Sequence, residues 1–193
     1  DSNGAIRIRS SFVTLDLNGR FIYQNNATAG ANGIVVDAGL TDVIIKNGTI
    51  VNFRRCGVTV NSGCSVIKLQ DLTVENCAIR GIELIGTSGS KINKSEISNC
   101  KMYGCCASAT ATDYALSLSH CVDVIVSDCR LSENNGTPSN YTIVFLDTCN
   151  ACVLDRIIVE KNTSSGGGEM RMFSVAASTN CRFNKCVARN NTA

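Results

Sequence analysis

The chain has no tryptophan, one proline and one histidine in 193 residues. Each scarcity removes options. The lone histidine, His120 in Ser119-His120-Cys121, has no second histidine to share a metal and no obvious acid partner in the sequence. It reads as a turn or packing residue. Apolar runs extend only a few residues, so no segment reads as a membrane span. Long stretches of Leu, Ala, Glu and Lys are missing while β-branched residues and Asn abound, which disfavours helix almost everywhere. The 18 basic and 16 acidic residues give a net charge of +2 and are scattered, so no electrostatic argument favours nucleic acid. Nothing near Asp1 resembles a secretion signal, and the chain is expected to be a processed product, a cloned domain or the ordered part of a longer protein. Apolar residues at 44% and charged residues at 18% describe a globular chain, sized for one domain over residues 1–193.

What the chain does have is a repeated phrase. It runs Gly33-Ile34-Val35-Val36, then Val43-Ile44-Ile45-Lys46-Asn47-Gly48-Thr49-Ile50-Val51-Asn52. It returns as Gly57-Val58-Thr59-Val60 with Ile67 to Asn76, and again from Gly81-Ile82-Glu83-Leu84 to Ile97-Ser98-Asn99. First-strand markers Ile6, Ile34, Val58, Ile82, Leu116, Ile143 and Phe173 are spaced 28, 24, 24, 34, 27 and 30 by subtraction. Strands of constant length joined by turns of variable length are the mark of a solenoid. Period-two alternation turns Ile34 and Val36, Val58 and Val60, Val43 and Ile45, Ile67 and Leu69, Val124 and Val126, and Cys152 and Leu154 inward. A third strand contributes Ile50, Val74, Ile97, Leu131, Val159 and Val187, followed by Asn52, Asn76, Asn99, Asn134, Asn162 and Asn190. Asn tolerates the left-handed conformation and can hydrogen-bond along a stack of its own kind.

Three short strands per copy with no helix between them cannot make a flat βαβ sheet. The expected fold is all-β: a single-stranded, right-handed parallel β-helix of about seven coils, with three parallel sheets around one core. Insertions at residues 24–33, 102–115, 132–142 and 163–171 are loops, the expected home of function. The stretch Thr163-Ser164-Ser165-Gly166-Gly167-Gly168 should be mobile.

With its opening coil Ile6-Arg7-Ile8-Arg9-Ser10-Ser11-Phe12-Val13-Thr14-Leu15-Asp16-Leu17-Asn18-Gly19-Arg20 and the units from Gly33 to Asn190, the chain resembles the pectate-lyase-like superfamily. It is most similar to the generic right-handed β-helix repeat proteins of bacteria and large viruses. The resemblance covers nearly the whole chain and implies the fold; the superfamily spans lyases, hydrolases, epimerases, tailspikes and structural rods. The lyases' Arg-x-Pro-x-x-Arg stretch is absent, since the only proline is Pro138. The hydrolases' Asp-Asp pair and Gly-His-Gly and the epimerases' Asp-Pro-His are absent too. No cofactor is implied. The family usually caps its first coil, but here Asp1-Ser2-Asn3-Gly4 leads straight into a strand, and open parallel edges invite other chains.

The expected function is therefore a non-catalytic structural or adhesive β-helix module of a surface, fibre or virion protein, able to recognise glycans. It would sit extracellularly, on a cell surface or in a virion, with other protein chains of a larger assembly as partners and polysaccharide as ligand. The alternative is a polysaccharide lyase or glycoside hydrolase with an unfamiliar site.

Asp37, Asn61 and Asp147 fall in equivalent places after the first strand, a column that also holds Ser119 and Ala176. They could bind sugar hydroxyls or a cation, and the same residues also simply form turns. Glu83 with Asp37, or Asp123 with Asp147, are the candidate carboxylate pairs for hydrolysis. Arg54, Arg55, Arg80 and Lys101 form either a basic stripe or a solvated face. Twelve cysteines are many for this length. One Cys-x-x-Cys, Cys149-Asn150-Ala151-Cys152, without a matching second pair makes a poor zinc signal. Cys121, Cys149 and Cys64 each precede a core position by three residues, and Cys77 and Cys100 each follow an Asn. Equivalent cysteines on adjacent coils would form ladders, either of inert thiols or of disulfides.

Overall fold

The computed structural model describes residues 4–25, 30–107, 114–136, 140–164 and 169–192. The glycines at 166–168 and Pro138 lie outside them. No described residue is helical. The chain winds as a right-handed parallel β-solenoid. Its first sheet stacks Gly4–Ile8, Asn32–Val36, Cys56–Val60, Arg80–Ile85, Tyr114–Ser119, Asn140–Asp147 and Glu169–Ala176, all parallel, so seven rungs mark about six turns.

The second and third strands of each coil do not make two separate sheets. They merge into one thirteen-stranded sheet, because coils one to three run through both as single eleven-residue strands, Val13–Tyr23, Thr41–Val51 and Ser65–Glu75. From the fourth coil on, the strand breaks in two at the corner, as in Glu96–Ser98 and Lys101–Tyr103. A two-stranded sheet, Asn135–Gly136 with Thr163–Ser164, adds a small fourth face, so Thr163 and Ser164, expected in a mobile stretch, are held by parallel pairing.

Corners are made by residues with positive φ. Asn47, Asp71, Asn99, Asp128, Arg156 and Lys185 form one such column, with φ between 50° and 57°. Asn52, Asn76, Gly104, Glu133, Lys161 and Asn190 form another. One left-handed residue turns the chain without ending the parallel pairing on either side, and Asn, Asp and Gly adopt it at least cost.

The core is the stack of inward columns. Val58, Val60, Ile67, Leu69 and Val74 are at most 1% exposed and lie in register with Ile34, Val36, Val43, Ile45 and Ile50. Each buried side chain of this size is worth about 2 kcal/mol. Gly57 shows how tightly the faces close: a Cβ there would collide with Val74 and sit 2.8 Å from the Gly81 carbonyl oxygen.

Some assignments shift. Ile97 pairs with Leu69 and Val126, so it belongs to the second strand, and Met102 takes the third-strand place beside Val74 and Leu131. The apolar signal was lost one step earlier, where buried Ser95 stands in the column of Ile67 and Val124; it accepts the Ile67 N–H at 3.1 Å and donates to the Asn93 carbonyl at 2.9 Å. Val144 rather than Ile143 aligns with Leu116 and Phe173. Ala188, not Val187, faces Val159, and Val187 points outward at 44% exposure.

The Asn series is likewise two structures. Asn52, Asn76 and Asn190 turn corners, as Asn99 does at another corner. Asn134 and Asn162 sit one place further, fully buried, and continue to Asn191. Asn134 Nδ2 donates to Asn162 Oδ1 at 2.9 Å, and Asn162 Nδ2 to Asn191 Oδ1 at 2.8 Å. The same two oxygens accept the backbone N–H of the preceding coil's Asn at 3.0 Å, and Nδ2 of Asn134, Asn162 and Asn191 reaches a carbonyl of the coil below. A buried ladder of this kind leaves none of its amide groups stranded.

Candidate functional site

Alternation puts Val35, Thr59, Glu83 and Ser117 on the outer face of the first sheet, where water would be expected. All four are at most 5% exposed. Val35, Thr59 and Glu83 floor a pocket of about 180 Å³ that is also lined by Asn32, Arg55, Asn61 and Ile85. Three successive rungs supply it. Asn32 and Val35 come from the second coil, Thr59 and Asn61 from the third, and Glu83 and Ile85 from the fourth. Arg55 stands just before the Cys56–Val60 strand.

Glu83 is the charged centre. Its carboxylate is ion-paired with Arg80 on its own strand and accepts the Cys56 S–H at 3.4 Å. Burial pushes the Cys56 thiol up, so it remains a neutral donor. The Arg80 guanidinium lies over the Tyr114 ring, 5.4 Å from its centroid, and Tyr114 stacks on Phe145 at 4.6 Å. This chain of contacts fixes Glu83 from one side. Asn32 accepts the Cys56 N–H through Oδ1 at 3.1 Å, which turns its amide NH₂ to other partners. Asn61 donates Nδ2 to the Val36 carbonyl at 2.9 Å, which leaves Oδ1 as an acceptor. Thr59 Oγ1 is buried and has no hydrogen-bond partner among the described residues. An orphaned hydroxyl beside amides, a guanidinium and a neutralised carboxylate offers donors and acceptors of both kinds at short range.

Of the three residues expected as a ladder, Asn61 alone lines this pocket. Asp37 is its neighbour one rung down, but its carboxylate is held by Arg7 at 2.7 Å, with Arg9 at 3.9 Å. The column then passes through Ile85 and Ser119 before reaching Asp147. Asp147 accepts the Thr148 hydroxyl at 3.1 Å instead. Glu83 stands two rungs from Asp37, because the chain between them makes two full turns. The basic residues also part company. Arg55 enters the pocket, Arg80 is tied to Glu83, and Lys101 pairs in register with Arg130 on the other sheet. His120 is a corner residue with φ 50°, its Nδ1 3.1 Å from Ser119 Oγ. Among the described residues no three His, Cys, Asp or Glu converge as metal ligands.

Sequence reasoning missed Asn32 and Thr59. Their only signal was position: polar residues at outward places in strands otherwise made of Val, Ile, Gly and Cys.

A parallel solenoid with a small polar pocket on its first sheet defines a broad class, the β-helices. The family model described as "right handed beta helix region" matches residues 1–119, more than half the chain, and the chain belongs to that family. Among solved structures it is similar to the A-module of the mannuronan C-5 epimerase AlgE4 of Azotobacter vinelandii. The match has 12% identity and a TM-score of 0.31, and covers 99% of this chain and 79% of that one. Likeness at that level carries no argument about activity. Comparison with curated proteins finds no match.

Proposed function

We propose that the chain is a non-catalytic β-helix module that holds a saccharide unit in the pocket on its first sheet. The observation that carries this is the state of Glu83. It is the one carboxylate among the residues lining the pocket, and it is bound to Arg80 and Cys56. Acid–base cleavage of a glycosidic bond takes two carboxylates about 5–10 Å apart across the scissile bond. A binding site takes what is present: amides, a hydroxyl, a guanidinium and an apolar wall from Val35 and Ile85.

The module would serve as a rod in a larger assembly at a cell surface, in a fibre or on a virion. Titration of the chain with neutral and acidic oligosaccharides, followed by calorimetry, tests the proposal. Binding should fall at least tenfold in Arg55→Ala and Asn61→Ala, with no sugar or unsaturated product released. Turnover of any defined polysaccharide would replace this reading with the enzyme one.

A further inference from the structure

The cysteines meet across the coils as pairs, of which the sequence spacing aligned only Cys121 with Cys149. Register places Cys77 of coil three beside Cys105 of coil four, and Cys100 of coil four beside Cys129 of coil five. It then places Cys121 of coil five beside Cys149 of coil six, and Cys152 of coil six beside Cys181 of coil seven. Each of the four successive interfaces from coil three to coil seven thus holds one matched pair. The four pairs occupy four different inward columns, so no single ladder produces them.

We propose that these pairs are the sites of four inter-coil disulfides, which convert the C-terminal part of the solenoid into a covalently stapled rod. Three geometric facts support it. Neighbouring rungs of a parallel sheet lie about 4.8 Å apart, inside the Cα range of about 4.4–6.8 Å that a disulfide spans. Both members of a pair point the same way, into the core. In three pairs the later sulfur sits between the two coils, in reach of a carbonyl of each: Cys105 Sγ is 3.5 Å from the Tyr103 and 3.7 Å from the Val74 carbonyl, Cys129 Sγ 3.2 Å from Ser127 and 3.9 Å from Ile97, and Cys149 Sγ 3.4 Å from both Asp147 and Leu118. Hydrogen bonds from Cys121 and Cys152 lower the Cys149 thiol well below its usual range, and one from Cys100 lowers that of Cys129, which agrees with sulfurs in direct contact. Cys64 and Cys186 have no such neighbour, for they face Ile92 and Ile157 in the adjoining coils.

The chemistry is thiol–disulfide exchange with a low-molecular-weight disulfide as oxidant. One protein thiolate attacks a sulfur of the small disulfide, expelling one thiolate and leaving a mixed disulfide. The partner thiolate then attacks the protein sulfur, expelling the second. Two protein thiols lose two protons and two electrons, and the small disulfide gains both as two thiols.

The test is to refold the full chain from its reduced, denatured state in a buffer of reduced and oxidised glutathione. The products are alkylated and the cross-linked peptides mapped by mass spectrometry. Eight of the twelve thiols should be consumed, with an intact-mass loss of about 8 Da and bonds 77–105, 100–129, 121–149 and 152–181. In Cys121→Ser, Cys149 should stay alkylatable while the other three bonds form. Different pairings, capture of Cys149 by another cysteine in that variant, or a chain that folds only with all its thiols reduced would each overturn the proposal.

Discussion

The two ends of this solenoid solve the same corner in different ways. In the first three coils the corner between second and third strands lies within a continuous eleven-residue strand, and bulky apolar residues fill the interior beside it. Leu17 reaches in over Gly48, which has no Cβ to obstruct it, Leu72 stands in the third coil, and Phe53 fills the next corner. In the later coils the corresponding places are Cys100, Cys129, Ile157 and Cys186, and then Cys105, Asn134, Asn162 and Asn191; Cys77 already takes the second place in the third coil, and Ile157 is the one bulky apolar side chain among the later ones. Small polarisable or amide side chains there turn back to bind the carbonyl two residues earlier, as Cys129 does to Ser127 at 3.2 Å, or bind the coil below, as the Asn ladder does. The early corners are held mainly by apolar volume and the later ones mainly by satisfied hydrogen bonds. The general lesson is that a parallel coil tolerates either filling, provided the carbonyls freed by the turn find a partner.

Four outcomes test that contrast, the largest first. Leu69→Asp places an unpaired charge in the continuous core and should prevent folding altogether, read by loss of the far-ultraviolet β signal. A soluble native variant would show that the register is wrong. Phe53→Ala should cost about 3–5 kcal/mol through the cavity it leaves, measured by chemical denaturation. Asn162→Ala should cost about 2–3 kcal/mol, because its partners Asn134 and the Leu131 carbonyl are left unsatisfied in the core, and Asn162→Asp should not rescue it. A loss in Asn162→Ala equal to that of an exposed Asn would dissolve the distinction between the halves. The smallest effect concerns the outer faces. Glu160 is held below its usual pKa first by the Arg189 hydrogen bond and then by the charges of Arg130 and Arg189. Its folded pKa is depressed, so its contribution is complete above the ordinary value of 4.5 and disappears as the pH falls through the folded value. Thermal unfolding between pH 6 and pH 2 should show this loss in the native chain and less of it in Glu160→Gln.

Much of the fold was legible because a solenoid writes its periodicity into local sequence. Ile34 and Val36, or Ile67 and Leu69, announce their inward direction through period two, whatever they pack against. Where a polar residue served the core, legibility failed. Ser95 hid a core column, which displaced Ile97 into the wrong strand, and Asn134 and Asn162 passed for corner residues when they are interior. The candidate site was hardly legible at all. Asp37 and Asn61 were correctly aligned as neighbours, yet an intervening isoleucine and serine separate Asp147 from them.

By itself, the sequence determined the class of fold, the identity of most inward residues and the corners made by Asn and Asp, such as Asn47, Asp71 and Asp128, since these depend on alternation and on left-handed propensity within a few residues. The tertiary structure alone decided which residues of different coils meet. Coil length varies from 24 to 34 residues, so the neighbour above any side chain is set by hydrogen-bond register. That register brought Asn32, Arg55, Thr59 and Glu83 around one pocket, and set one pair of cysteines at each interface from the third coil to the seventh.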